Sequence, residues 1–182
     1  MAHSFSVTAL NRIGADARRR TDPMAFLRQL SPLHVQWHRT PLAARSLGFL
    51  LFHWYVIQNF KKARGPQVWP GGVRPYTTRD FGNFGWPYRV TTEATAGDID
   101  SFAAFSLDIE RWHGDAHMAI GMATGTPMMD AAQNIFHLPF WRLHYFINER
   151  FIEQLENYDG SGTVTRQVRR LQRRRHEDTG RI

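Results

Sequence analysis

Histidine pairs at helical spacing are the residues of this chain best suited to chemistry. The chain has nine histidines, and His113 and His117 lie four residues apart, with His144 further along. Residues four apart on a helix share one face, with Cβ atoms roughly 5–6 Å apart, so two imidazoles can bind one metal ion. A third histidine from a second helix would complete a three-nitrogen site suited to copper, zinc or iron.

The first half of the chain repeats this arrangement. His34 and His38 are again four apart, and His53 follows in the next apolar segment. Helical bundles that bring two such ligand sets together are a known framework for a dinuclear site. A single histidine in an apolar helix is more often a packed core residue, and one isolated pair arises by chance. The repetition of a histidine pair followed by a third histidine favours a metal site over structural histidines.

The apolar pattern of the first half predicts three helices. Asp-Pro at residues 22–23 and Ser-Pro at 31–32 each place a capping side chain before a proline, which predicts two short helices, the second ending before Pro41. Residues 42–63 are apolar on nearly all sides and predict a long buried helix. Gly-Pro at residues 65–66 would end it.

The second half predicts two further helices after a long loop. Residues 65–97 are rich in Gly, Pro and aromatics, which predicts an ordered loop with a short strand or two. A helix is predicted from Asp98 to about Ile120, with a turn-rich link over 121–126. The last helix would open at 138–139 and end at 159–162. The fold class predicted is mainly α: a helical bundle carrying a dinuclear site in one domain over 1–162, followed by a tail over 163–182.

Composition limits the class of protein. The 182 residues include no cysteine, so neither a disulfide framework nor a thiolate metal site is expected. No apolar run approaches the roughly 20 residues of a membrane span. The N-terminal residues lack the apolar core of a secretory signal, so a cytoplasmic location is expected.

The net charge of +7 has its origin near the ends of the chain. Six arginines lie in residues 166–175 and three in 18–20. Nucleic-acid binding would favour a basic folded face with interleaved aromatics, so it is not predicted. The Arg-rich tail is interpreted as a solvated extension, or alternatively as a contact for an acidic or copper-delivery partner.

Residues 110–150 resemble the second copper-binding region of the type 3 copper proteins, which are tyrosinases, catechol oxidases and haemocyanins. That region reads approximately H-N-x-V-H-x-x-x-G, then a Met-containing loop, then D-P-x-F-W-L-H-H-x-x-x-D-R. Glu149 and Arg150 take the place of the Asp-Arg pair. The other matching residues are His113, His117, Gly121, Met128, Met129, Pro139, Phe140, Trp141, Leu143 and His144.

Residues 48–60 resemble the segment F-L-P-W-H-R-x-x-L-x-x-F-E, which carries the last ligand of the first copper. This assigns His53 to that ion. Ala44 stands where many tyrosinases have another ligand, whereas His34 and His38 resemble the H-x-x-x-H pair of arthropod haemocyanins. The resemblance covers about residues 31–64 and 105–155. It implies two copper ions, the first on His34, His38 and His53 and the second on His113, His117 and His144.

The resemblance implies an oxidase or monooxygenase that uses O2 on a phenol, an o-aminophenol or a related small aromatic, with no catalytic residues beyond the metal ligands. Gly114 replaces an Asn of many tyrosinases and Tyr145 a frequent His. These departures argue more against phenol hydroxylation than against copper binding. The alternatives are a haemocyanin-like O2-binding protein without turnover, a protein of another metal such as two irons or one zinc, and a basic helical protein with structural histidines.

Three expectations concern the surroundings of the site. Glu110 or Asp115 could hold the second nitrogen of a ligand histidine, a position also filled by carbonyls or water. Aromatics of the 65–97 loop either stack on a substrate or simply pack; they are Trp69, Tyr76, Phe81, Phe84 and Trp86. Four methionines are expected to fill the core rather than to bind copper; they are Met118, Met122, Met128 and Met129.

Overall fold

A computed structural model describes residues 7–39, 48–83 and 99–157, and these ranges are helical with short connections. They contain no strand, which confirms the predicted mainly helical bundle. Two 3-10 helices lie at Gly65–Val68 and Asn134–Phe136. The α-helices are α1 (Val7–Arg18), α2 (Ala25–His38), α3 (Gly48–Lys62), α4 (Thr78–Asn83), α5 (Ile99–Thr124) and α6 (Leu138–Asn157).

The centre of the bundle is α3, which packs against α1, α5 and α6. Its sequence is apolar on nearly every face, and its buried side chains include Phe49, Phe52, Ile57 and Phe60. The Phe60 ring stacks on Trp141 of α6 at 3.6 Å between centroids. Because other helices surround α3, the residues that it directs toward them, His53 among them, are shielded from water.

One continuous helix, α2, replaces the two short helices predicted around residues 31–32, so that prediction was wrong. Pro32 lies inside α2, where it removes one backbone hydrogen bond. Leu27, Leu30 and His34 lie on one buried face that runs past the proline. Packing of this face outweighs the local preference for a break.

The link predicted over 121–126 was also placed too early, because α5 continues to Thr124. Gly125 then adopts a left-handed conformation with φ of 66° and donates its N–H to the Gly121 carbonyl at 2.9 Å. This is a standard helix C-terminal motif in which glycine carries no Cβ penalty.

Residues 65–83 pack against α6 without forming a strand. The Tyr76 N–H donates to the Arg142 carbonyl at 3.1 Å, and the Arg142 guanidinium lies 4.1 Å from the Tyr76 ring centroid. The strands predicted in the long loop are therefore absent from its described part, and residues 84–97 lie outside the described ranges. So do Asp98, residues 40–47, the predicted end of the last helix and the Arg-rich tail.

Within the described ranges, none of the helices combines sufficient length with sufficient hydropathy to span a membrane.

Candidate metal centre

Six histidines from four helices meet in the interior of the bundle. The helices α2 and α5 contribute a pair each, and α3 and α6 contribute one each. Five of the six are buried, and the sixth, at the last position of α2, is partly exposed. They are His34, His38, His53, His113, His117 and His144, so the structure brings together all residues that the sequence predicts as metal ligands.

Two pairs of ring nitrogens lie at a spacing that suits a shared ion. Nε2 of His34 and His38 are 3.0 Å apart, and Nε2 of His113 and His144 are also 3.0 Å apart. Two nitrogens bound to one ion at about 2.0–2.1 Å stand about 3.0–3.4 Å apart for angles of about 95–110°. Without metal, the same spacing fits an N–H···N hydrogen bond.

His53 lies between the two pairs. Its ligand atom is within 4.8 Å of those of His34 and His38, and separately of those of His113 and His144. Its ring stacks on that of His144 with centroids 4.6 Å apart. The first group is the predicted first-copper set. The second group has His53 in the place predicted for His117, whose ring centroid lies 4.3 Å from that of His113.

Backbone carbonyls orient four of the rings. Nδ1 of His53 and of His144 each bond the carbonyl four residues earlier, that of Phe49 at 2.9 Å and that of Phe140 at 2.7 Å. A carbonyl only accepts, so Nδ1 must carry the hydrogen and Nε2 must present its lone pair. This is the usual way in which a protein sets the tautomer of a ligand histidine.

The other two oriented rings depend on the loop over residues 125–137. Nδ1 of His34 bonds the Ala131 carbonyl at 2.9 Å, and Nδ1 of His117 bonds the Met128 carbonyl at 2.5 Å. Asp130 shapes this loop, because its carbonyl accepts the N–H of Asn134 at 2.8 Å. Sequence reasoning missed the role of the loop, since any residue type offers a carbonyl and no pattern marks which one is used.

Two of the Nε2 atoms have no hydrogen-bond partner within residues 7–39, 48–83 and 99–157. They belong to His53 and His117 and are buried. A buried polar group without a partner costs about 1–3 kcal/mol. Both lone pairs would be satisfied by a metal ion in the cluster.

Burial holds five of the six rings in their neutral form. Burial lowers the pKa of His34 and of His117 to about 4, and burial together with neighbouring histidines lowers the pKa values of His53, His113 and His144 well below 6.5. Burial disfavours the charged imidazolium. Neutral imidazole is the form that binds metal, so the site requires no deprotonation near pH 7.

A cleft of about 310 Å³ gives access to the cluster. Its walls include the partly exposed His38 and the buried Glu110, and it reaches the surface at Gly114 and Met129. Its volume is at the lower end of the range of about 300–1,000 Å³ for small-molecule sites. The lining residues are His38, Phe49, Glu110, His113, Gly114, His117, Met129, Ala131 and Asn134.

The expectations about the residues around the histidines were only partly correct. Backbone carbonyls, rather than Asp115, hold the second nitrogen of four rings. Asp115 is exposed, and Glu110 lines the cleft instead. No described residue of 65–83 lines the cleft. Phe81 packs on Trp112 at 5.2 Å between ring centroids, so packing is the correct interpretation of this segment, and Phe84 and Trp86 lie outside the described ranges.

The methionine prediction holds for one residue and was wrong for three. Met128 is 1% exposed and fills the core. The side chains of Met118, Met122 and Met129 are exposed instead.

Comparisons of this chain with protein-family models, with curated proteins and with solved structures gave no match. The histidine cluster and its cleft are therefore the features that bear on function.

Proposed function

We propose that this chain is a dicopper oxidase or monooxygenase that uses O2 to oxidise a phenol, an o-aminophenol or a related small aromatic. The observation that carries the proposal is the convergence of six histidines from four helices, five of them buried. Burying that many polar rings with two unsatisfied nitrogens is costly for a purely structural core. Coordination to metal ions would give these ring nitrogens partners.

The donor set favours copper over the other metals considered. Among the described residues, the groups able to hold an ion consist of histidines alone. Di-iron bundle sites use several carboxylates, whereas neutral imidazoles suit copper in both of its common oxidation states. His34, His38 and His53 would hold one ion, and His113, His117 and His144 the other. The bound metal would supply O2 binding and electron transfer.

The cleft limits the substrate to a small aromatic. Phe49 lies in its wall beside His113, with ring centroids 4.9 Å apart, and could pack against a substrate ring. The buried Glu110 offers a carboxylate to a hydroxyl or amino group. In the overall reaction of a catechol, two substrate molecules give up four electrons and four protons to one O2, forming two quinones and two waters.

Copper stoichiometry measured together with O2 consumption tests the proposal. The purified chain, loaded with copper and desalted, is expected to hold two copper ions and to consume O2 with catechol or o-aminophenol. No copper uptake, or a single metal per chain, would contradict the dicopper site. Reversible O2-dependent absorbance without consumption would favour the O2-binding alternative. Preferential retention of iron or zinc would favour another metal.

A further inference from the structure

The exposed large hydrophobic side chains are all of one kind. Among the described residues they are Met118, 49% exposed, Met122, 76% exposed, and Met129, 67% exposed. Within the described part of the chain, no leucine, isoleucine, valine or phenylalanine is exposed with them. In the described part of the chain, the large apolar side chains that reach solvent therefore all end in thioethers, which favours a use of sulfur over one of hydrophobicity.

Two of these methionines lie on a stripe of α5 that leads into the cleft. Met122, Met118, Gly114 and Glu110 follow one another at intervals of four residues along this continuous helix. Successive members are neighbours on the helix surface, and the row winds about a third of a turn around the helix from Glu110 to Met122. Met122 and Met118 are exposed, whereas Glu110 is buried in the cleft and Gly114 lies in its wall. The stripe therefore runs from solvent to the interior of the site.

Gly114 leaves the path open at the point where it enters the cleft. A Cβ at this position would meet nothing within 4 Å. Long side chains on a helix lean back toward its N-terminus, so Met118 leans toward Gly114. Met129 reaches the same mouth from the loop after α5, because it also lines the cleft.

We propose that Met118, Met122 and Met129 form a thioether site for Cu(I) at the mouth of the cleft, from which the ion passes over Gly114 to the histidines. Thioethers are soft ligands that select Cu(I). Glu110, buried in the cleft beyond Gly114, offers side-chain oxygens on the way to the histidines. The transfer exchanges thioether ligands for neutral imidazoles, so no electron moves and no proton is released. The final destination rests on the proposed dicopper function, whereas the thioether site does not.

Silver(I) tests the thioether site directly, because it shares the closed d shell and soft character of Cu(I) but is redox-inert. The whole chain is labelled with ¹³C at the methionine methyl groups, and the signals are assigned with single Met→Leu variants. Substoichiometric Ag(I) is expected to shift the signals of Met118, Met122 and Met129. The signals of Met24, which precedes α2, and of the buried Met128 are expected to remain in place, and Zn(II) is expected to shift none of the five.

Unshifted signals of the three exposed methionines, or an equal shift of Met24, would overturn the thioether site. A variant with all three replaced by leucine keeps the apolar surface and is expected to load its histidines more slowly from a Cu(I) chelator complex. Its loading from Cu(II) is expected to be unchanged, as is that of a Met24→Leu control. Equal Cu(I) loading rates in the triple variant and the wild type would overturn the transfer path.

Shifted methionine signals in a chain whose histidines never take up copper would contradict the dicopper function while supporting the thioether site. Binding of a hydrophobic protein partner at this face would survive the leucine replacements, because leucine preserves the apolar area. Loss of the Ag(I) response in the triple variant, with the fold intact by circular dichroism, is therefore specific to sulfur.

Discussion

The two halves of the histidine cluster differ in how far along the chain their supports lie. In the second half, His117 bonds a carbonyl 11 residues away and His144 one that is four residues away. In the first half, His34 bonds the Ala131 carbonyl, 97 residues further on. His38 lies at the end of α2 and is partly exposed. The carbonyl supports of the second set are therefore near in the chain, whereas in the first set only His53 has a nearby one, that of Phe49, and His34 depends on the distant loop.

This difference implies an order of dependence. The loop over 125–137, between α5 and α6, supplies carbonyls to His117 and also to His34. The second set can thus be ordered by α5, the loop and α6. The first set depends on this unit for the carbonyl that orients His34. His53 links the two, since its ring stacks on His144 and its ligand atom is close to both groups.

The largest effect is expected from removing one ligand of each set in turn. We expect His38→Ala to keep one copper ion on the locally supported second set. We expect His144→Ala to hold neither ion tightly, because it removes both a second-set ligand and the ring stacked on His53. Its copper affinity should fall by more than about 100-fold, since loss of even the groups that hydrogen-bond to metal ligands lowers the affinity about 10–100-fold. The measurement for both variants is the amount of copper that they retain after dialysis against a chelator.

His137→Ala is the matched control, because His137 belongs to neither metal group; it should retain both ions. The opposite pattern, with one ion kept by His144→Ala and none by His38→Ala, would reverse the order of dependence.

Acid is expected to destabilise both sets of the metal-free protein alike. The pKa values of His34 and His117 are lowered to about 4 from an ordinary 6.5. Between these values the unfolded chain binds protons that the folded chain does not, so stability is present above about pH 6.5 and is lost as the pH falls toward about 4. Each group contributes about 1.4 kcal/mol per pH unit in that window. Urea unfolding measured at intervals between pH 7 and pH 4 gives the slope.

The single variants His34→Leu and His117→Leu should each reduce this slope by about the contribution of one histidine. A slope unchanged in one variant and reduced in the other would show that only one set is kept neutral by burial.

Sequence patterns predicted the helices of the second set better than those of the first, for the same physical reason. Helices around His113 and His144 follow from local apolar spacing, and the spacing of the matched motif is itself local. The passage of α2 through Pro32 could not be predicted, because the gain from burying Leu27 and His34 on one face is a property of the assembled bundle. The carbonyl partners on residues 128 and 131 carry no side-chain signal at all.

The surface was the least predictable part. Met118 and Met122 fit an apolar helix pattern as well as buried residues do, and only the placement of α5 shows that their face is exposed. The cleft likewise arises where α2, α3, α5 and the loop meet, with Gly114 in its wall beside open space.

A smaller, opposite effect is expected at the residue shared by the two sets. His53→Leu removes a buried Nε2 that has no hydrogen-bond partner among the described residues. Leucine is similar in size, so we expect the free energy of unfolding of the metal-free protein to rise by about 1 kcal/mol. The same variant should lose copper from both groups. His137→Leu should show neither change, and a destabilised His53→Leu protein would favour structural histidines over a metal centre.

The smallest effect is expected at Gly125, where the shared loop begins. Its φ of 66° is unfavourable for a residue with a Cβ by about 1–2 kcal/mol, so Gly125→Ala should lower the free energy of unfolding by about 1 kcal/mol. Gly82→Ala is the control, because Gly82 lies in α4, has no positive φ, and a Cβ there meets nothing within 4 Å; it should be neutral or slightly stabilising. If the loop orients both His34 and His117, copper competition assays should show weaker binding at both sets in Gly125→Ala. Weakening of the second set alone would mean that α2 holds His34 without help from the loop, and the two halves would then be independent.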